Sequence, residues 1–213
     1  MMKKISLYMV CFVVFVGVLF LASVVIAEVS VGVKQGDWIE YNVTCTGDVP
    51  ADHNVTWAKI EVTGVEGKKI DLAITSRFFD GHEETITATL NLETGEIGDG
   101  FIIPANLNAG DTFPEQVEGT ITISRVEEKT YANAKRQVVA ATTSYTVFYW
   151  DQTTGFLVEA TTTYTSFGIA SKAEKTNMWQ SQTFGIDPIV SIVLVALVIV
   201  TVLAFFLKYK MKK

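Results

Sequence analysis

A chain of 213 residues leaves room for one ordinary domain plus short terminal segments, and its 49% hydrophobic content and mean hydropathy of +0.31 are high for a soluble protein. All 23 acidic residues fall between Glu28 and Asp187, where 11 of the 17 basic residues lie, so this segment carries −12 within a chain of net charge −6. An acidic segment of that kind repels phosphate backbones, which sets nucleic acid aside as a partner.

Lys3 and Lys4 precede an uncharged apolar run from Ile5 to Ala27. A basic start, an apolar stretch and small residues at its end predict a secretory signal over residues 1–27. Val25 and Ala27 fit the small-residue cleavage pattern, which would leave Glu28 first in the mature chain; the length of the run also allows an uncleaved signal anchor. Cys11 lies inside the run, so the lipoprotein type of anchor is not expected.

Residues 28–180 read as a β-rich extracytoplasmic domain. Ile60 and Val62, then Ile70, Leu72 and Ile74, then Ile86, Ala88, Leu90 and Leu92, then Ile121 and Ile123, each alternate with polar or small residues. This period of two predicts strands with one face on a core. Turn signals separate the runs at Gly36-Asp37, Glu66-Gly67, Asp80-Gly81, Glu93-Thr94-Gly95 and Gln152-Thr153-Thr154-Gly155. The expected fold is mainly β, an antiparallel sheet closed as a sandwich or curved as a half-barrel. The stretch Phe101 to Pro114 breaks the pattern and reads as a lid or a crossover. Ala132 to Ala141 could form a helix, but Val138 and Val139 favour a strand.

Residues 181–188 are a juxtamembrane linker, and Ile189 to Leu207 form a second apolar run. At about 1.5 Å per residue it spans roughly 28 Å, against a hydrocarbon core of about 30 Å. A transmembrane helix over 189–207 is therefore expected, with the lipid bilayer as its partner. The tail 208–213 carries Lys208, Lys210, Lys212 and Lys213, which favour the cytoplasmic side. The predicted location is the cell membrane, with the β-domain outside and the C-terminus in the cytoplasm.

Two stretches carry a resemblance. Val33-Lys34-Gln35-Gly36-Asp37-Trp38-Ile39-Glu40-Tyr41 resembles the opening of uncharacterised archaeal cell-surface proteins, and the hairpin Tyr149-Trp150-Asp151-Gln152-Thr153-Thr154-Gly155 is similar to one that recurs in them. The same hairpin recurs in curved-sheet lipoprotein carriers. The resemblance covers most of residues 33–165 and implies an archaeal envelope protein with a signal sequence, a β-rich ectodomain and a C-terminal helix. It implies no active-site residue.

The translocated segment holds two N-glycosylation sequons, at Asn42 and Asn54. Cys45 is its lone cysteine, which excludes an internal disulfide and fits a small packed residue. His82 lies in Asp80-Gly81-His82-Glu83-Glu84, where the second histidine of a zinc helix is absent, since position 86 is Ile86. No metal ligand set, cofactor motif or catalytic motif is present. Tyr145, Tyr149 and Tyr164 belong to an aromatic-rich hairpin and would line an apolar cleft if the sheet curves. Three functions fit: a non-catalytic envelope module contacting envelope proteins or polysaccharide; a binder or carrier of an apolar ligand or lipid; and an envelope hydrolase built on scattered carboxylates.

Overall fold

Each run in which apolar residues recur at every second position is a strand. A computed structural model describes residues 29–96, 100–117 and 119–180, with 192, 193 and 195–197. The signal segment, the linker 181–188, the tail 208–213 and most of 189–207 lie outside the described residues. The five described positions of that run are helical; among the described residues no helix is long and apolar enough to cross a membrane.

The strands are β1 (Trp38–Gly47), β2 (Val55–Glu66), β3 (Lys69–Phe78), β4 (Glu83–Asn91), β5 (Thr112–Glu115), β6 (Gly119–Thr122), β7 (Arg125–Tyr131), β8 (Ala134–Thr142), β9 (Thr146–Asp151), β10 (Leu157–Thr163) and β11 (Phe167–Thr176). Nine of them make one antiparallel sheet in the order β4-β3-β2-β1-β11-β10-β9-β8-β7, and β5 and β6 form a separate hairpin. The β1–β11 pairing joins the two ends of the domain at the middle of the sheet.

Register explains the core. Ile39, Ile60, Ile74 and Ile86 stand in one row across β1 to β4, and Val62, Leu72 and Ala88 in the next. Most of this face is buried, while the opposite face carries Lys59, Glu61, Asp71 and threonines. Phe156, Val158, Val138 and Tyr131 extend the same cluster into the second half of the sheet. A second cluster is built from Ile103, Phe113, Ile121, Ile123, Val139, Trp150 and Leu157. The segment Phe101 to Pro114 is a crossing that fills the core: Ile102, Ile103 and Ala105 are buried, and Ile102 bridges Phe156.

The sheet curls at its β7 end. Flat strands three places apart lie about 14 Å apart and their side chains stand roughly perpendicular to the sheet. Yet the Tyr131 hydroxyl on β7 donates to Glu159 Oε2 on β10 at 2.5 Å, and Lys172 on β11 lies 5.7 Å from the Tyr131 ring. Bulges at Glu40/Tyr41 and Leu157/Glu159 supply local bending.

The Asp151–Gly155 hairpin is pinned by one carboxylate. Asp151, with no exposed side-chain surface, accepts from Arg136 Nε at 2.7 Å, Arg136 Nη2 at 3.2 Å, and the Thr154 amide and hydroxyl at 2.9 Å each. Gly155 adopts φ +73°, and a Cβ there would lie 2.0 Å from the Ile103 carbonyl. Both facts require glycine at this turn.

Candidate functional site

The inner rows of β1 to β3 and β11 do not stay filled to the end of the sheet. Tyr41 is in register with Ala58 and Ser76, and Val43 with Ser171. Small side chains therefore stand where the neighbouring rows carry isoleucine and leucine. The β1–β2 pairing also stops at Asn42↔Trp57 while β1 runs on to Gly47. The result is an open cleft of about 250 Å³. Val43, Val55, Ile60, Ile74 and Ile169 line its walls, with Phe101, Leu157 and Tyr41, and a 3-10 turn over Ala51–His53 sets Asp52 and His53 at its exposed rim.

Two groups fix this geometry. The buried Tyr41 hydroxyl donates to the Leu157 carbonyl at 2.6 Å, tying β1 to β10 beneath the cleft. Burial pushes its pKa well above the ordinary tyrosine value, so it stays a neutral donor. Half-buried Cys45 closes the gap between diverging strands, its Sγ 3.7 Å from the His53 carbonyl and 3.5 Å from that of Val55. Burial pushes the thiol up, outweighing the hydrogen bond with Val55, so it stays protonated and weakly nucleophilic.

Across the 3-10 turn lies a wider acidic depression of about 540 Å³, lined by Asp52, Asn54, Phe78, Phe79, Asp80, His82 and Glu84 among others. His82 stacks on Phe78 at 4.4 Å and its Nδ1 lies 2.8 Å from Asp80 Oδ1. The hydrogen bond to His82 holds the Asp80 carboxyl below the ordinary carboxylate range. Among the described residues no group of three His, Cys, Asp or Glu side chains is placed to hold a metal ion.

A third cluster occupies the curled face. Tyr149 is in register with Glu159, and Glu159 with Lys172. The Lys129 ammonium lies 3.5 Å from the centre of the Tyr149 ring and donates to Glu159 at 2.9 Å. Partial burial alone would push Glu159 up; its bonds with Tyr131 and Lys129 outweigh this and hold it below the ordinary carboxylate range. Tyr131 is pushed far above the ordinary tyrosine range, first by burial and then by Glu159. The signs follow. The Glu159 contribution is present above the unfolded carboxylate pKa and is lost as pH falls through the lower folded one; the Tyr131 contribution is present below the ordinary tyrosine value and is lost at higher pH. Tyr131→Phe is expected to lower the urea midpoint at neutral pH and to flatten its fall on the acid side, checked by chemical denaturation across pH.

The residues singled out from sequence separate into distinct places. Tyr145 and Tyr164 stack 5.7 Å apart at an exposed tip with Phe167, while Tyr149 sits against Lys129. Asn42 is exposed in β1 and Asn54 is half-buried at the C-terminal end of the 3-10 turn. Trp179 belongs to the fold: its Nε1 donates to the Tyr131 carbonyl at 3.2 Å and its ring lies 4.7 Å from the Arg136 guanidinium. The cleft itself escapes a search for large aromatics, because its signal is small residues at inward positions.

No protein-family model and no curated protein matches the chain. Among solved structures there is a likeness to "The Siderocalin Ex-FABP functions through dual ligand specificities", with a TM-score of 0.26, 8% sequence identity, and coverage of 75% of this chain and 80% of that one. At that TM-score the likeness carries no argument here. The cleft rests on its own geometry.

Proposed function

We propose that this chain is a membrane-tethered envelope protein whose β-domain binds a small apolar ligand, or one end of a lipid chain, without transforming it. The observation that carries this reading is the row Tyr41, Ala58, Ser76, with Ser171 beside Val43, which leaves an open apolar cleft where the adjoining rows are dry core. Apolar surface left in water is costly at roughly 25 cal/mol per Å², and an occupant removes that cost. The volume, about 250 Å³, lies just below the ~300–1,000 Å³ of drug-sized sites, so the cleft suits one short apolar group rather than a whole lipid. A protonated Cys45 and an exposed Asp52–His53 rim supply no activated nucleophile.

Tethering is supported by the uncharged run 189–207 followed by four lysines, and by the matching lysines before the first run. The rim residues lie toward the Phe167 end of β11, opposite the end at Thr176 from which the chain leaves for the linker. From Ile169 to Thr176 is about 23 Å along a strand. With a short linker the cleft then opens away from the protein's own bilayer, toward the medium or a partner. The resemblance to archaeal envelope proteins is in keeping with this placement, which would expose both sequons to the outside.

Two measurements on the full chain in native membranes test the reading. The protein is expected to resist alkaline extraction, and an organic extract of the purified protein is expected to yield a stoichiometric apolar molecule. Removing that molecule is expected to speed alkylation of Cys45. A protein that carries no such molecule, with a Cys45 rate indifferent to added fatty acid, contradicts the ligand; release by alkaline wash contradicts the tether.

A further inference from the structure

On the sheet face that carries Asn42, β11 presents only Gly168 and Ala170 toward its free end, and threonines flank both. Thr44 is in register with Ala170 and Thr161, and Thr46 with Gly168 and Thr163. The outcome is a trough of about 340 Å³ with a floor of small residues, walls of hydroxyl groups and no charged side chain along it. Tyr164 and Phe167 stand at its far end, their rings 4.6 Å apart, and Tyr145 stacks on Tyr164. An uncharged lining is notable in a segment of net charge −12. Gly168 adopts no left-handed backbone that would require glycine, and a Cβ there would press to 3.1 Å from the Thr46 hydroxyl. The absent side chain makes room for the Thr46 hydroxyl, which lies against this floor 3.5 Å from the Gly168 carbonyl.

Asn42 stands one register step beyond Thr44, just outside the near end of the trough. It is exposed, points to the same face as Thr44 and Thr46 by the strand period, and stands opposite Lys172. No hydrogen bond among the described residues engages its amide side chain. It is the acceptor of the sequon Asn42-Val43-Thr44, whose threonine is itself a wall of the trough.

We infer that the trough is the bed of a neutral glycan attached to Asn42 of the same chain. A sugar ring offers both chemistries the trough presents: hydroxyl edges that hydrogen-bond to Thr44, Thr46, Thr161 and Thr163, and a C–H face that stacks on the Tyr164 and Phe167 rings. Attachment at Asn42 makes this an intramolecular contact, so weak individual bonds suffice. From Asn42 to Thr46 the bed is about 14 Å long, room for the first few sugar units. This inference rests on the external placement of the domain argued above.

Hydroxyl-radical footprinting of the full chain purified from its native membranes tests it, with mass spectrometry of the Asn42 and Asn54 peptides. The expected result is a glycan on Asn42 and several-fold lower oxidation of Tyr164 and Phe167 than in Asn42→Gln. Enzymatic removal of the glycan from the wild-type chain is expected to reproduce the Asn42→Gln footprint, which excludes a folding defect as its cause, and Asn54→Gln is expected to leave the protection intact. An occupied Asn42 with unchanged oxidation of both aromatics overturns the bed and leaves the external placement standing. An unmodified Asn42 overturns the bed, and carbonate-resistant anchoring with fatty-acid-dependent Cys45 alkylation then decides separately whether placement and cleft survive.

Discussion

Asp151→Ala is expected to lower the stability of the β-domain by about 3–5 kcal/mol, the usual loss when one partner of a buried ion pair is removed. Four hydrogen bonds converge on that carboxylate, from the Arg136 guanidinium and from the amide and hydroxyl of Thr154. Arg136 is left with its charge partly buried, and the β9–β10 turn loses the acceptor that sets it. The damage spreads further than one hairpin. Arg136 also lies over Trp179, and the carbonyl of Gly155 accepts from the Ile103 amide at 3.0 Å, so the crossing segment and the chain end both hang on this turn. With total stability of about 5–15 kcal/mol for a typical domain, roughly a fifth or more is at stake, and the urea midpoint is expected to fall by about 2 M at an m of roughly 2 kcal/mol/M. Arg77→Ala is the comparison. Its partner Glu83 is about half exposed, and a surface pair is worth at most ~1 kcal/mol. Equal midpoints for the two variants would show that the Asp151 network does not pin the fold.

Ser171→Phe is expected to abolish ligand binding while the domain stays folded. Ser171 faces the cleft from β11, beside Val43, and no side-chain hydrogen bond among the described residues depends on it. A phenyl ring there fills the volume that an occupant would take. Overpacking typically costs about 1–3 kcal/mol, and an open cleft allows the lower end. Circular dichroism is expected to match wild type, and the urea midpoint to fall by about 0.5 M. Binding of a short-chain fatty acid is expected to drop at least ~10-fold, equivalent to about 1.4 kcal/mol. A folded Ser171→Phe domain that binds as well as wild type would place the ligand elsewhere.

How far the sequence reveals this protein follows from which faces are buried. Ile70, Leu72 and Ile74 alternate with exposed or half-buried neighbours, so period two is visible and the strand is legible. Val138 to Ala141 are all buried, because Val138 packs into one cluster and Val139 and Ala141 into the other. A strand covered on both faces loses its alternation, which is why 132–141 also admits a helix on sequence alone. The Asp-x-x-Thr-Gly hairpin is legible because turn chemistry is local. Phe101 to Pro114 is visible only as an interruption; its buried isoleucines answer to the β9–β10 turn, where Ile102 bridges Phe156 and the Ile103 amide donates to the Gly155 carbonyl, more than fifty residues away in sequence.

The cleft leaves little trace in the sequence. It depends on the register of four strands bringing Ala58, Ser76 and Ser171 together near Tyr41 and Val43. On sequence alone, Tyr145, Tyr149 and Tyr164 are core residues or, if the sheet curves, lining of an apolar cleft. Register instead places Tyr149 on the polar curled face, in line with Glu159, while the turns gather Tyr145 and Tyr164 at the tip. Absent side-chain bulk, not aromatic content, marks the cleft.

The most direct test is a titration of the β-domain, residues 28–180, with a short-chain fatty acid, following the rate of Cys45 alkylation. Cys45 borders the cleft through its contacts with His53 and Val55 and is the one cysteine in that span. Alkylation of the wild-type domain is expected to slow saturably, with one site per chain, and that of Ser171→Phe to stay constant. A rate that does not change with ligand, or that changes equally in both proteins, would contradict ligand binding in the cleft.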